Sequence, residues 1–216
     1  MNYTESLAYL DSLGKFGIKL GMERIEGLLR ELGNPEQKIK TVHVTGTNGK
    51  GSVTSMITNI LLAANLKVGK FTSPHLVKYN ERINLNGKDI SDEDFATAIT
   101  AVKVAADSVV KKGVCEQPTQ FEILTAAAFL YFYLQKVDYA VIEVGMGGLW
   151  DSTNVITPVV SVITNVALDH TDRCGKTLER IAMQKAGIIK EKVPLVTAAE
   201  GNEALGPIVS LAMFKE

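Results

Sequence analysis

The run Thr45-Gly46-Thr47-Asn48-Gly49-Lys50-Gly51-Ser52 has the composition of a phosphate cradle. Small residues let successive backbone N–H groups turn inward around phosphate oxygens. Lys50 supplies a cation for β- and γ-phosphates, and Ser52 a hydroxyl for phosphate or Mg²⁺. The spacing departs from the common G-x-x-x-x-G-K-[ST] form, because Gly51 separates Lys50 from Ser52. Context identifies the loop. A β-rich run, Lys40 to Val44, precedes it. After it, Val53, Met56, Ile57, Ile60, Leu61 and Ala64 recur at helical spacing, so a helix N-terminus adds its positive end to the cradle. The octet is read as an ATP phosphate site.

Three other groups could join that chemistry. Glu143 ends the apolar run Tyr139 to Val144 and precedes Gly145-Met146-Gly147-Gly148. Ligands of open α/β sheets bind beyond the carboxyl ends of strands, so Glu143 is placed to hold Mg²⁺. The plainer alternative is a strand-end carboxylate facing solvent. His170, in Leu168-Asp169-His170-Thr171, follows the next apolar strand on the same edge and is a further candidate. Lys185 falls inside the helical stripe Leu178, Ile181, Ala182, Ala186, Ile189. A lysine on an apolar face must snorkel, pair or be chemically altered, and the pattern leaves these open.

These residues require a scaffold of alternating strands and helices. Tyr3 to Leu13 and Glu23 to Leu32 have helical spacing, and Gly33-Asn34-Pro35 stops the second. Leu66 to Phe71 is a strand, and Thr72 to Lys88 an irregular stretch with an Asn86-Gly87 turn. Ser91 caps a helix to about Lys111. Thr119-Gln120-Phe121-Glu122 is a capping box opening a helix to Gln135, which makes Glu122 a structural carboxylate. Pro158 to Ile163 and Pro194 to Thr197 are strands, and Thr177 to Lys190 and Asn202 to Phe214 helices. His43, inside a strand, is a core or sheet-surface residue. The expected fold is α/β, a P-loop, mostly parallel, doubly wound sheet with helices on both faces.

Bulk properties narrow the function class. The chain has 216 residues and a formal net charge of −1, so no basic surface for nucleic acid or membrane is indicated. Cys115 and Cys174 form neither a C-x-x-C pair nor a disulfide framework and are expected as free thiols. The N-terminus lacks a signal-peptide pattern, and the apolar run from Phe121 to Leu134 is short for a membrane span. A cytoplasmic protein is expected, one that handles small molecules or meets a protein partner.

The motifs together resemble the folylpolyglutamate synthase (dihydrofolate synthase) branch of the Mur ligase superfamily. They are Val44 to Ser52, Thr72-Ser73-Pro74-His75-Leu76, Asn80-Glu81-Arg82-Ile83, Phe121-Glu122, Glu143 to Gly148, Asp151-Ser152-Thr153-Asn154, Leu168-Asp169-His170 and Lys185-Ala186-Gly187-Ile188. The resemblance implies ATP-dependent addition of L-glutamate to the γ-carboxyl of a folate tail, through an acyl phosphate. It implies that Thr45, Gly46, Thr47, Asn48, Gly49, Lys50, Gly51 and Ser52 hold ATP, and that Ser73, Glu143 and His170 ligate Mg²⁺. Lys185 matches a family lysine that is carbamylated and helps hold a second Mg²⁺. Pro74, His75, Arg82 and Asp151 would serve the folate and the interdomain cleft. A monomer is expected.

Two departures stand out. Leu149-Trp150-Asp151 replaces the usual Arg-Leu-Asp after the glycine pair. The family also continues well beyond this length. Residues 1–197 are therefore expected to form an incomplete Mur-ligase-type ATP-binding domain. Residues 198–216 would begin a missing continuation, with the C-terminal glutamate-binding domain absent. The rival expectations are a nucleotide-binding remnant without ligase activity and a peptidoglycan Mur ligase. The Ser73-Pro74-His75-Leu76 and Asp151 to Asn154 segments fit the folate branch better.

Overall fold

The computed structural model describes residues 1–14, 21–169 and 175–216. Its chain runs α1 (Tyr3–Leu13), α2 (Glu23–Glu31), β1 (Thr41–Thr45), α3 (Lys50–Ala63), β2 (Val68–Phe71), β3 (Ile83–Leu85), β4 (Lys88–Asp89) and α4 (Asp92–Lys111). It continues through α5 (Gln120–Leu134), β5 (Tyr139–Glu143), β6 (Val160–Ile163), α6 (Leu178–Ala186), β7 (Leu195–Thr197) and α7 (Asn202–Phe214). The seven strands form one sheet in the order β4-β3-β2-β5-β1-β6-β7. The five strands from β2 to β7 in that order are parallel, and β3 and β4 are antiparallel additions at one edge.

Alternation along the strands sorts two cores. Val42, Val44, Val68 and Val141 face α3, against Val53, Ile57 and Leu61. Phe71, Ala140 and Ile142 point the other way, into a cluster with Phe129, Phe132 and Leu124 of α5 and with α1, α2 and α4. Gly69 sits under Phe132: a Cβ there would lie 2.6 Å from the ring. A third cluster joins Val144 and Ile163 to α6 and α7 through Ala182, Ala186 and Ile208. Residues beyond 197 therefore pack directly onto α6. Helices cover both faces, as a buried parallel sheet requires.

Local chemistry sets the ends. Ser91 accepts the Asp94 N–H at the start of α4, and Thr119 with Glu122 forms the capping box of α5. Glu122 is also ion-paired to Arg24 of α2 at 3.1 Å, both side chains being nearly buried. Its structural reading thus gains a partner that local spacing did not reveal. The stretch expected to be irregular before Lys88 holds a short 3₁₀ turn, Tyr79–Arg82, and the β3–β4 hairpin. Asn86 and Gly87 take φ of 52° and 80°, the two positive values a type I′ turn needs. Met56 and Ile60 depart from the expected apolar stripe of α3. They are 63% and 68% exposed, and Ala64 at the end of the stripe is exposed too, while Val53, Ile57 and Leu61 pack on the sheet. α6 is shorter than expected, stopping before Gly187. Among the described residues no helix is long and apolar enough to cross a membrane.

Candidate functional site

The site lies at the carboxyl end of β1, where β5 and β6 flank it. After Thr45 the chain turns at Gly46, with φ of 153°, and enters α3 from Gly49, with φ of 80°. No side chain fits at Gly46, since a Cβ there would lie 1.8 Å from Thr164 Oγ1. The loop is braced by the segment after β6. The Asn48 N–H donates to Asn165 Oδ1 at 2.9 Å, Thr47 N–H to the Asn165 carbonyl at 3.1 Å, and the Thr164 hydroxyl to the Asn48 carbonyl at 2.6 Å. Thr164 and Asn165 escaped the sequence reading. The available signal was two polar residues directly after the apolar β6. Lys50 Nζ donates to the carbonyls of Gly46 and Thr47 at 3.0 and 3.4 Å, which places its charge over the loop.

Glu143 has the parity of Val141, so its side chain leaves the sheet on the α3 face. A Cβ on Gly51 would lie 3.7 Å from Glu143 Oε2, so the carboxylate meets the first turn of α3. The same oxygen accepts the Ser73 N–H at 3.3 Å. Glu143 is 4% exposed. Burial raises its pKa above the ordinary carboxylate value, while the Ser73 N–H and the charges of Lys50 and Lys70 pull it down. The structure thus brings together three of the expected groups: the phosphate loop, Ser73 and Glu143. His170 lies outside the described residues. Among the described residues no three His, Cys, Asp or Glu side chains cluster as a metal site.

The glycine run after β5 is held closely. The Thr45 hydroxyl donates to the Gly147 carbonyl at 2.7 Å. A Cβ on Gly145 would lie 2.6 Å from the Phe121 ring, and one on Gly148 2.7 Å from the Gln184 carbonyl. The Leu149 N–H donates to the same carbonyl at 2.8 Å. The end of α6 therefore abuts the run, and Lys185, at 4% exposure, belongs to that last turn. Asp151, expected near substrate, is buried and engaged within the chain. Its oxygens accept the N–H groups of Met146 and Thr153 and the Thr153 hydroxyl. Burial raises its pKa against those hydrogen bonds.

The Ser73 to Arg82 loop is ordered by its own polar groups. Glu81 accepts the N–H groups of Leu76, Val77 and Lys78. Arg82 Nε donates to His75 Nδ1 at 2.8 Å, and the His75 and Tyr79 rings stand 4.4 Å apart. Partial burial and the Arg82 charge lower the His75 pKa, which suits an accepting, unprotonated Nδ1. Tyr79 donates to Asp11 Oδ1 at 3.0 Å and accepts from Gln120 at 2.8 Å, tying the loop to α1 and α5. Pro74 is exposed and beside this cluster. Cys115 is a free thiol beside Gly27 of α2, its pKa raised by burial, and Cys174 lies outside the described residues.

With this geometry established, comparison with known proteins places the chain among its relatives. The Mur ligase middle domain matches residues 44–202. A dihydrofolate synthase/folylpolyglutamate synthase of Bacillus subtilis is 47% identical over 206 residues, covering 94% of this chain and 47% of the relative. A folylpolyglutamate synthase of Lacticaseibacillus casei is 47% identical over 197 residues, covering 91% of this chain and 46% of that protein. A solved FPGS–AMPPCP–folate complex superposes with a TM-score of 0.92 at 44% identity, covering 100% of this chain and 52% of that one. The chain thus spans about half the length of the curated relatives it matches.

Proposed function

The chain belongs to the Mur ligase family through its middle domain, and from that premise we propose that it is the ATP-handling part of a ligase adding L-glutamate to the γ-carboxyl of tetrahydrofolate. The observation that carries this reading is the meeting of Glu143, the Ser73 backbone and Gly51 at the head of α3. A plain nucleotide site needs only the loop. A ligase that activates a carboxylate must also place metal and acceptor at the γ-phosphate. The names of the relatives and the AMPPCP and folate of the superposed complex support the same assignment.

In this proposal Gly46 to Ser52 hold the phosphates of ATP through backbone N–H groups, with Lys50 neutralising charge. Ser73, Glu143 and His170 hold Mg²⁺, and a carbamylated Lys185 helps hold a second. The Glu143 carboxylate and the Ser73 hydroxyl offer the hard oxygen ligands Mg²⁺ takes, and a nearly buried Glu143 gains from a cation beside it. The bound metal supplies charge neutralisation at the transferring phosphoryl group. Pro74, His75 and Arg82 present the folate side, and Asp151 serves it by holding the glycine run. The folate carboxylate oxygen bonds to the γ-phosphorus as the bond to ADP breaks. The amine of glutamate then bonds to the acyl carbon, releasing phosphate and a proton. A monomer in the cytoplasm is part of the same proposal.

Two measurements on the 216-residue chain test it. AMPPCP titration should show binding that strengthens with Mg²⁺, and Glu143→Gln should lose that Mg²⁺ dependence. An unchanged dependence in the variant would remove Glu143 from the metal site. Incorporation of labelled glutamate into tetrahydrofolate, with ATP and Mg²⁺, would place the whole reaction on this chain. Binding without incorporation would confine it to the nucleotide step.

A further inference from the structure

His43 has no packing reason to be a histidine. It lies in the middle of β1, 0% exposed, on the face opposite Val42 and Val44. An aliphatic residue would fill a sheet centre at lower desolvation cost. Its Nε2 stands 2.9 Å from Thr153 Oγ1. The Thr153 hydroxyl has one proton, and its geometry directs that proton to Asp151 Oδ1. Thr153 therefore accepts from His43, which fixes the proton on Nε2. Nδ1 has no partner among the described residues, consistent with its being a bare lone pair. The chain of donors runs from His43 to Thr153 to Asp151, whose Oδ2 accepts the Met146 N–H at 2.9 Å.

This chain links two elements of the site. Its first member is two residues before Thr45, where the phosphate loop begins. Its last contact is in the glycine run that follows Glu143. The run has little slack: a Cβ on Gly145 would meet Phe121 at 2.6 Å on one side and Asp151 Oδ2 at 3.1 Å on the other. We propose that His43 is a positioning residue which, through Thr153 and Asp151, sets the Gly145 to Gly148 run against the phosphate loop. Fully buried within β1, it acts through these residues and not from the open surface of the site. Burial, with the nearby Lys190 charge, lowers its pKa to about 3, so the imidazole donates without carrying charge. The consequence for nucleotide binding rests on the function proposed above; the positioning of the run does not.

The test separates the N–H from the volume. His43→Leu fills the space without a donor, and His43→Gln can return an amide N–H near Nε2. Hydrogen–deuterium exchange of the 216-residue chain reads the run directly. His43→Leu should speed exchange across Val144 to Trp150 about tenfold, the loss of roughly one buried hydrogen bond. His43→Gln should stay near the wild-type rate, with β1 and β5 unchanged in both. AMPPCP affinity in Mg²⁺ should weaken in His43→Leu and recover in His43→Gln. Should His43→Leu fail to fold, Thr153→Val against Thr153→Ser cuts the same chain at its second link. Wild-type exchange of the run in the leucine and valine variants would overturn the proposal, as would equal loosening by leucine and glutamine. If the wild-type chain binds no AMPPCP, the nucleotide reading fails while the exchange comparison still decides the role of His43.

Discussion

The Thr45 hydroxyl, at the end of β1, donates at 2.7 Å to the carbonyl oxygen of Gly147 in the run that follows the neighbouring parallel strand β5. One bond thus ties the start of the phosphate loop to the glycine run after Glu143. Thr45 is fully buried, so Thr45→Val leaves the Gly147 carbonyl without that donor and without water to replace it. A loss of about 1–3 kcal/mol in unfolding free energy is expected by denaturant titration. Thr45→Ser keeps the hydroxyl and should retain most of the stability. Equal losses in the two variants would mean that the methyl group, not the bond, carries the effect.

Gly46 fixes the path of the loop through its absent side chain. Alanine there would collide with Thr164 Oγ1 at 1.8 Å and come within 3.2 Å of the Asn165 backbone nitrogen. Thr164 cannot swing away cheaply, because its hydroxyl holds the Asn48 carbonyl. Gly46→Ala should therefore lower AMPPCP affinity more than tenfold while the melting temperature falls only modestly. The comparison is made by calorimetric titration and thermal unfolding of the same preparations. Gly14 serves as a control, since a Cβ there meets nothing within 4 Å, and Gly14→Ala should leave AMPPCP affinity unchanged.

The Arg24–Glu122 pair anchors α2 to the first turn of α5. Both carboxylate oxygens accept from Arg24 Nε, at 3.1 and 3.2 Å, and Oε2 also accepts the Thr119 N–H. Removing the arginine leaves a carboxylate buried among apolar residues. Arg24→Ala should cost about 3 kcal/mol in urea unfolding. Pairing it with Glu122→Gln, which needs no counter-charge and keeps a capping side chain, should recover part of that loss. A double variant no better than Arg24→Ala alone would show that lost packing, not the stranded charge, sets the cost.

These anchors show where the sequence was informative. Ser91 and Thr119 announced α4 and α5 correctly, because caps act within one turn and leave a local signature. β5 was visible as an apolar run, which a covered parallel strand allows, and β1 through its β-branched residues and the glycine loop that follows it. The β3–β4 hairpin was passed over: its strands are too short for a periodicity, although Asn86-Gly87 marked its turn. Arg24 with Glu122 and Thr164 with Asn48 were invisible for another reason. Their partners are 98 and 116 residues apart, and only the fold brings them together. For Glu143 the sequence indicated the strand end, while the face it occupies came from the pleat. Asp151 was the reverse case: its motif was legible and its burial was not.

The buried imidazole of His43 also gives stability a pH dependence whose sign can be worked out. Its pKa is about 3 in the folded chain, against an ordinary value of 6.5. Between these values the unfolded chain binds a proton that the folded chain does not. Stability is therefore fully present above the unfolded value and declines as pH falls from about 6.5 towards 3, by roughly 1 kcal/mol per pH unit. His75, whose pKa is also lowered by burial, and Glu143 and Asp151, whose pKa values burial raises, add slopes of their own, so the contribution of His43 is read as the difference between wild type and variant between about pH 6.5 and 5. Urea midpoints across that window should fall in the wild type and stay flatter in His43→Gln, which has nothing to titrate there. A glutamine variant with the wild-type slope would assign the dependence to other groups and leave the buried imidazole unlinked to acid sensitivity.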